Sequence, residues 1–178
     1  MKIAIIGYSA SGKSTLASYL SKHYGIPCLH LDKLRFLPNW QERPDEDMRS
    51  QLQTFLENNS WIIEGNYSDF YYQERMEEAD QIILMVFSRW SCLFRAVKRY
   101  ITYAGRVRES SAEGCSEKLD WEFIRWILKD GRSPKARKRY QAICQTYADK
   151  ITILHNQKEL DELMSALRGR TQVQPLKT

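Results

Sequence analysis

The sequence predicts an α/β fold in three layers, with a parallel sheet between two sets of helices. Three observations lead there. Five short runs are almost wholly apolar and rich in β-branched residues: Ile3-Ala4-Ile5-Ile6, then 26–31, 61–63, 82–86 and 151–154. Such runs read as strands buried on both faces. Stretches with apolar residues at helical spacing fill the intervals between them. Gly7, Asp32 and Glu64-Gly65 close the first three runs, at the carboxyl edge where ligands bind to sheets of this kind.

The elements follow in order. After the first strand, residues 13–24 carry Leu16, Ala17 and Leu20 on one helical face and stop at Gly25. The second strand ends at Asp32, and a polar stretch with Pro38 and Pro44 follows it. A helix is expected over 45–57, with Met48, Leu52, Phe55 and Leu56 on one side. The third and fourth strands come next. Three longer helical patterns then cover 90–103, 121–128 and 134–147. After the fifth strand, Asn156 with Glu159 three residues later marks a capping box for a last helix, to about Leu167. The tail from about Gly169 shows no periodicity and is expected to fray. With 178 residues and no internal repeat, the chain is expected to form one domain over 1–178.

Hydrophobic residues make up 43% of the chain, which excludes wholesale disorder. No leader is recognisable, and no apolar run approaches the roughly 18 residues of a membrane span. A cytoplasmic, soluble protein without a membrane partner is the expectation. Cys28, Cys92, Cys115 and Cys144 include no C-x-x-C pair, so they are read as reduced thiols rather than zinc ligands. Charge is distributed unevenly. From Arg89 to Arg139 there are 14 Lys+Arg against 6 Asp+Glu, a net of +8 in a chain whose formal net charge is +5. A field so concentrated attracts a polyanion.

Gly7-Tyr8-Ser9-Ala10-Ser11-Gly12-Lys13-Ser14 matches the G-x-x-x-x-G-K-[ST] pattern, between a buried strand and a helix. The glycines allow the backbone N–H groups to converge on a phosphate, and the helix N-terminus adds its positive dipole end. This is the phosphate loop of the P-loop NTPases. It predicts binding of ATP or GTP with Mg²⁺ through Gly7 to Ser14 and the adjoining Thr15. Lys13 is expected to reach the β- and γ-phosphates and Ser14 to ligand the metal.

Phosphoryl transfer also needs carboxylates. One holds Mg²⁺, directly or through water, and another orients or deprotonates an acceptor hydroxyl. Glu64 is assigned to the metal and Asp32 to the acceptor, with the reverse assignment left open. Arg35, Trp40 and Tyr67, together with Asp32 and Glu64, are the candidate acceptor-binding set, because cations and aromatics there would cradle an anionic or aromatic acceptor. His30 is read as a satisfied residue at the strand end.

The basic segment at about 89–139 is expected to act as a helical lid. Arg89 follows the fourth strand, and Arg95 and Arg99 share a helix face. Arg106 and Arg108 lie in a glycine-containing stretch, while Arg132, Arg137 and Arg139 follow a second hinge at Asp130-Gly131. Arginine forks stabilise the charge of a moving phosphoryl group, and a closing flap excludes water. The alternative is a nucleic-acid surface, in which these cations interleave with Trp90, Tyr100, Tyr103 and Trp126.

With these residues placed, the chain resembles the adenylate-kinase-like P-loop kinases. More narrowly it resembles bacterial DNA topology modulation (FlaR-like) proteins. Four segments carry the likeness: Ile5-Ile6-Gly7-Tyr8-Ser9 with Gly12-Lys13-Ser14-Thr15, Leu29-His30-Leu31-Asp32-Lys33, Trp61-Ile62-Ile63-Glu64-Gly65-Asn66-Tyr67, and Gly114-Cys115-x-Glu117-Lys118-Leu119-Asp120-Trp121. The resemblance implies a five-stranded parallel sheet with a lid, and kinase chemistry. It implies that Arg95 and Arg99 match a pair of which one packs on the base and the other contacts phosphate. The acidic-Gly-Phe-Pro-Arg segment of adenylate kinases is replaced here by Glu64-Gly65-Asn66-Tyr67-Ser68, which speaks against a nucleoside-monophosphate acceptor. The function expected is an ATP-dependent phosphotransferase acting on a nucleotide, a nucleoside or another small hydroxyl compound. The alternative from a different class is an ATP-binding protein associated with nucleic acid or regulating DNA topology.

Overall fold

Alternation along the first strand decides the layering. In β1 (Lys2–Gly7) Ile3 and Ile5 point to one face of the sheet and Ala4 and Ile6 to the other, all four fully buried. Each such isoleucine contributes about 2 kcal/mol by leaving water. The structure is a computed structural model that describes residues 1–103, 114, 115, 117 and 119–171.

Five strands form one sheet: β1, β2 (Cys28–His30), β5 (Trp61–Glu64), β6 (Gln81–Met85) and β7 (Ile151–Leu154). Their spatial order is β2-β5-β1-β6-β7, and every pairing is parallel. Ile5 pairs with Glu64, and Gly7 with Met85. These registers bring the ends of β1, β5 and β6 to one edge. On the Ile3/Ile5 face lie α1 (Lys13–Tyr24), α5 (Arg89–Tyr103), α6 (Trp121–Leu128) and α8 (Gln157–Thr171), through Leu16, Leu20, Ala96, Ile127 and Leu160. On the Ala4/Ile6 face lie α3 (Asp45–Leu56), α4 (Tyr72–Glu78) and α7 (Pro134–Thr146), through Met48, Leu52, Met76 and Ile143. The fold is therefore α/β, with a five-stranded parallel sheet between two helical layers. No helix among the described residues is long and apolar enough to cross a membrane.

Three local differences from the sequence expectation bear on the site. The second strand stops at His30, and Leu31–Arg35 forms the short helix α2. Asp32 thus lies in a helical first turn, where the peptide dipole favours its charge, rather than at the end of the strand. The Pro-containing stretch is not featureless: β3 (Phe36–Leu37) and β4 (Gln41–Glu42) pair antiparallel around a tight turn at Pro38–Trp40. Helix α4 was not anticipated, because its buried face is short and combines an aromatic with an arginine, Tyr72 and Arg75, beside Met76. The capping box is present: the Glu159 N–H donates to Asn156 Oδ1 at 3.0 Å, and the Glu159 carboxylate accepts from the His155 N–H at 2.7 Å. Helix α8 runs on to Thr171, past the expected start of the tail, while 172–178 lie outside the described residues. So do Arg106, Arg108 and the rest of 104–113, together with 116 and 118.

Candidate functional site

The loop after β1 takes its shape from its backbone. Gly7 has φ 139° and Gly12 φ 105°, conformations that L side chains rarely adopt. A Cβ on Gly7 would collide with the Met85 carbonyl oxygen, and one on Gly12 with the Arg95 guanidinium. The Tyr8 N–H donates to the Met85 carbonyl at 3.0 Å, tying the loop to β6. Asn66 secures the other side: its Oδ1 accepts from the Gly7 N–H at 3.0 Å, and its Nδ2 donates to the Gly7 carbonyl at 2.8 Å. Lys13 Nζ donates to the Tyr8 carbonyl at 3.0 Å, and Lys13 is buried with its ammonium inside the loop.

Glu64, at the end of β5, is almost wholly buried. Its Oε2 lies 3.0 Å from His30 Nδ1, and the Ser14 hydroxyl lies near enough to favour its charged form. Burial alone would raise its pKa. The hydrogen bond from His30, the Lys13 and His30 charges and the Ser14 hydroxyl outweigh burial and hold the carboxyl below its usual value. Burial pulls His30 down, but its hydrogen-bonded contacts with Cys28 and Glu64 more than offset that and raise it to about 9. The pair is therefore an imidazolium and a carboxylate at neutral pH. Asp32 is the opposite case, an exposed carboxylate whose Oδ1 accepts from the Tyr67 hydroxyl at 2.7 Å. Burial first, and then the Asp32 charge, push the Tyr67 hydroxyl well above its ordinary pKa, so it stays a donor.

Tyr8, Lys13, Ser14, Asp32, Glu64 and Tyr67 line one cleft of about 1430 Å³, together with Phe36, Trp40 and residues of α5, α6 and α7. Trp126 of α6 donates its indole N–H to Ser9 Oγ at 2.9 Å. Arg132 stacks over the Tyr8 ring at 3.8 Å and donates to the Phe87 and Ile127 carbonyls. On α5, Arg95 lies over the Phe87 ring at 5.3 Å and bonds Gln157, and Arg99 pairs with Glu117 at 2.8 Å. No group of three or more potential metal-binding His, Cys, Asp or Glu side chains occurs among the described residues.

This arrangement has relatives. The model of the AAA domain family matches residues 3–99, more than half of the chain. The chain belongs to the AAA domain family. No curated protein matches it. Among solved structures, a shikimate kinase from Bacteroides thetaiotaomicron is 18% identical, with 97% of this chain and 99% of that one covered at a TM-score of 0.54. An uncharacterized protein from Eubacterium ventriosum is 16% identical, with 95% and 98% covered at a TM-score of 0.50. At such identities the likeness is one of fold, and it places this AAA domain chain among P-loop kinase-like folds.

Within the AAA domain chain, Tyr8, Ser9, Ala10, Gly12, Lys13, Ser14 and Thr15 border the cleft, as do Asp32, Trp40, Glu64, Tyr67, Arg95 and Arg99. Four expected residues are not part of that lining: Gly7 and the fully buried Ser11 lie behind it within the loop, and Arg35 and Arg89 stand apart. Arg35 is held by Asp45 at 2.5 Å and by Glu42, and it does not line the cleft. Arg89 opens α5 in an exposed position outside the lining. Sequence reasoning assigned no role to Asn66, Arg75 or Tyr140. Arg75 is fully buried and donates to the carbonyls of Gly65 at 3.2 Å, Tyr67 at 2.9 Å and Tyr71 at 3.2 Å, so it closes the loop that carries Asn66 and Tyr67. An arginine in an otherwise apolar helical face was the one signal available for it.

Proposed function

We propose that the protein is a Mg²⁺-dependent phosphotransferase that moves the γ-phosphoryl group of ATP or GTP to the hydroxyl of a small acceptor. One observation carries this reading. A phosphate loop and two carboxylates in different electrostatic settings border the same cleft: Glu64 buried beside the loop's Ser14 and Lys13 and paired with His30, and Asp32 open to solvent and held by Tyr67.

The division of labour follows from those settings. The N–H groups of the loop and the start of α1 would bind the phosphates, with Lys13 as the cation inside the loop. Ser14 and Glu64 are two hard oxygen donors at the same end of the cleft, which suits Mg²⁺, an ion bound by one or two protein oxygens with phosphate and water completing its shell. Bound there, Mg²⁺ would neutralise charge between the β- and γ-phosphates. Asp32 would take the proton of the acceptor hydroxyl. The new P–O bond would form on that oxygen as the bond from the γ-phosphorus to the leaving diphosphate breaks. Tyr67 would orient Asp32. Arg95 and Arg99 would face the nucleotide from α5, and Arg99 would counter charge on the moving group.

The same proposal takes the chain as one unit, with 89–139 as the lid and Trp126 resting on the phosphate loop at Ser9. It places the protein in the cytoplasm, which supplies both nucleoside triphosphate and Mg²⁺. It also keeps the narrower kinship with DNA topology modulation proteins, since two of the segments that carry it supply Asp32 and Glu64.

The test is transfer from γ-labelled ATP, with Mg²⁺, to pooled nucleosides, nucleotides and small hydroxy compounds. A labelled product that Lys13→Ala lowers by about 10²-fold is expected, since removing one preorganised electrostatic group costs on this order. Tight ATP binding with no product across a broad pool would overturn the transferase reading in favour of a nucleotide-controlled binding protein.

A further inference from the structure

A helix at the surface of a domain ordinarily turns a polar face to water. Helix α5 does not. Its Cys92 and Ala96 are buried against the domain, and its Arg95 and Arg99 border the cleft. The opposite side carries Trp90, Phe94, Val97 and Ile101, and all four are exposed among the described residues. Trp90 is 68% exposed, Phe94 70% and Ile101 72%, which makes a contiguous apolar patch rather than a scattering of single side chains.

The spacing says what fits it. The four residues are separated by four, three and four positions. That is the a/d seam of a coiled coil, a stripe narrow enough to be read by one other helix. A membrane surface would instead suit a broad apolar face bordered by several cations. Here Ser91 and Lys98 flank the stripe on one edge and Leu93 and Tyr100 on the other, so Lys98 is the single flanking charge.

A second α5 completes the seam when it runs antiparallel. A two-fold axis between positions 95 and 96 sets Trp90 against the partner's Ile101, and Phe94 against the partner's Val97. Each ring then meets a smaller aliphatic side chain, as interdigitated packing requires. On the edges Leu93 meets the partner's Tyr100, and Lys98 meets the partner's Ser91, so no cation faces a cation. The exposed parts of Trp90, Phe94, Val97, Tyr100 and Ile101 amount to roughly 500 Å² per copy, so pairing removes on the order of 1,000 Å², where specific interfaces begin.

We propose that the protein forms a symmetric dimer through this outer face of α5. Ser91, Phe94 and Lys98 also line the cleft. The pairing therefore runs along the cleft rim and brings the partner's Lys98 beside Ser91 in each copy. Such a dimer is independent of the phosphotransferase reading above.

Sedimentation of the full chain from about 1 to 500 µM gives the test, since an interface at the small end of the specific range should dissociate in the micromolar region. Concentration-dependent dimers are expected. Trp90→Lys and Ile101→Glu each put a charge into the seam and should weaken the dimer by about 30-fold or more. Their circular dichroism and melting temperature should match wild type, because both positions are exposed. Ile101→Ala, which adds no charge, should weaken the dimer less and guards against an effect on folding. An equimolar mixture of Trp90→Lys and Ile101→Glu should pair more tightly than either variant alone, because the two new charges face each other and the other half of the seam stays native. A wild-type chain that is monomeric throughout would overturn the proposal, and so would a dimer indifferent to both charged substitutions. A mixture no tighter than its components would overturn the antiparallel register. Monomers that sediment with phosphatidylserine vesicles or with an oligonucleotide, and lose that association in Trp90→Lys, would assign the face to that partner instead.

Discussion

At the phosphate loop the geometry resides in the main chain, whereas at the Asp32 end it resides in side chains. Gly7 and Gly12 hold backbone angles that other residues rarely adopt, and hydrogen bonds to the Met85 carbonyl of β6 and with the Asn66 side chain fix the loop. Asp32 and Tyr67 meet instead through their side-chain tips, across 35 residues of sequence and near solvent. A main-chain site tolerates exchange of most of its side chains but not of its glycines. A side-chain site is retuned by one substitution without cost to the fold.

The largest effect should come from the side-chain end. Asp32→Asn keeps the shape and the Tyr67 contact but removes the carboxylate proposed as the base. A fall in kcat of about 10²–10³-fold is expected, with nucleotide affinity and melting temperature unchanged. A parallel loss of nucleotide affinity would show that the two ends are not separate. Next comes the main-chain end. Gly7→Ala puts a Cβ against the Met85 carbonyl at a positive φ, and should lower stability by about 3 kcal/mol as well as weaken nucleotide binding. A variant that unfolds in urea at the wild-type midpoint would contradict the picture of a loop set by its backbone.

The smallest effect lies between the two ends, at the His30–Glu64 pair. The folded-state pKa of His30, about 9, lies above its unfolded value of 6.5, so its stabilising contribution is complete below about pH 6.5 and is lost as pH rises through about 9. Glu64 is held below 4.5, so its contribution is present above that value and is lost as pH falls. Without Mg²⁺ the pair therefore stabilises most between about pH 4.5 and 6.5. Urea unfolding in a chelating buffer should show wild type losing on the order of 2 kcal/mol between pH 6 and 9 relative to His30→Gln. Identical slopes for the two proteins would dissolve the ion pair.

What the sequence disclosed follows the same contrast. The sheet, its two faces and the phosphate loop were legible, because hydrophobic periodicity and glycine spacing are local properties. Helix α1 and strand β7 lie where their patterns put them. The Asp32 end was legible only as a set of residue types. Nothing within a few residues of Asp32 announces that Tyr67 will reach it, that Arg35 will turn away toward Asp45, or that His30 will pair with Glu64. Arg75 and Asn66 were hidden for another reason. Both act on backbone carbonyls or amides, and a backbone partner leaves no trace in residue identity.

Asn66 has one more implication. Its side-chain amide presents Gly7 with an acceptor and a donor together, as a peptide group on a neighbouring strand would. It is a rung of the ladder between β1 and β5, added where the main chains have already parted. Tyr67, the next residue, holds Asp32, the carboxylate assigned to the acceptor in the proposed reaction. A displacement of Tyr67 by an arriving acceptor must then be felt at Gly7 through a single covalent neighbour. Thermodynamic reciprocity requires that whatever factor the acceptor applies to nucleotide affinity, the nucleotide applies to acceptor affinity. In the proposed reaction, any coupling between the two substrates would therefore run through one amide.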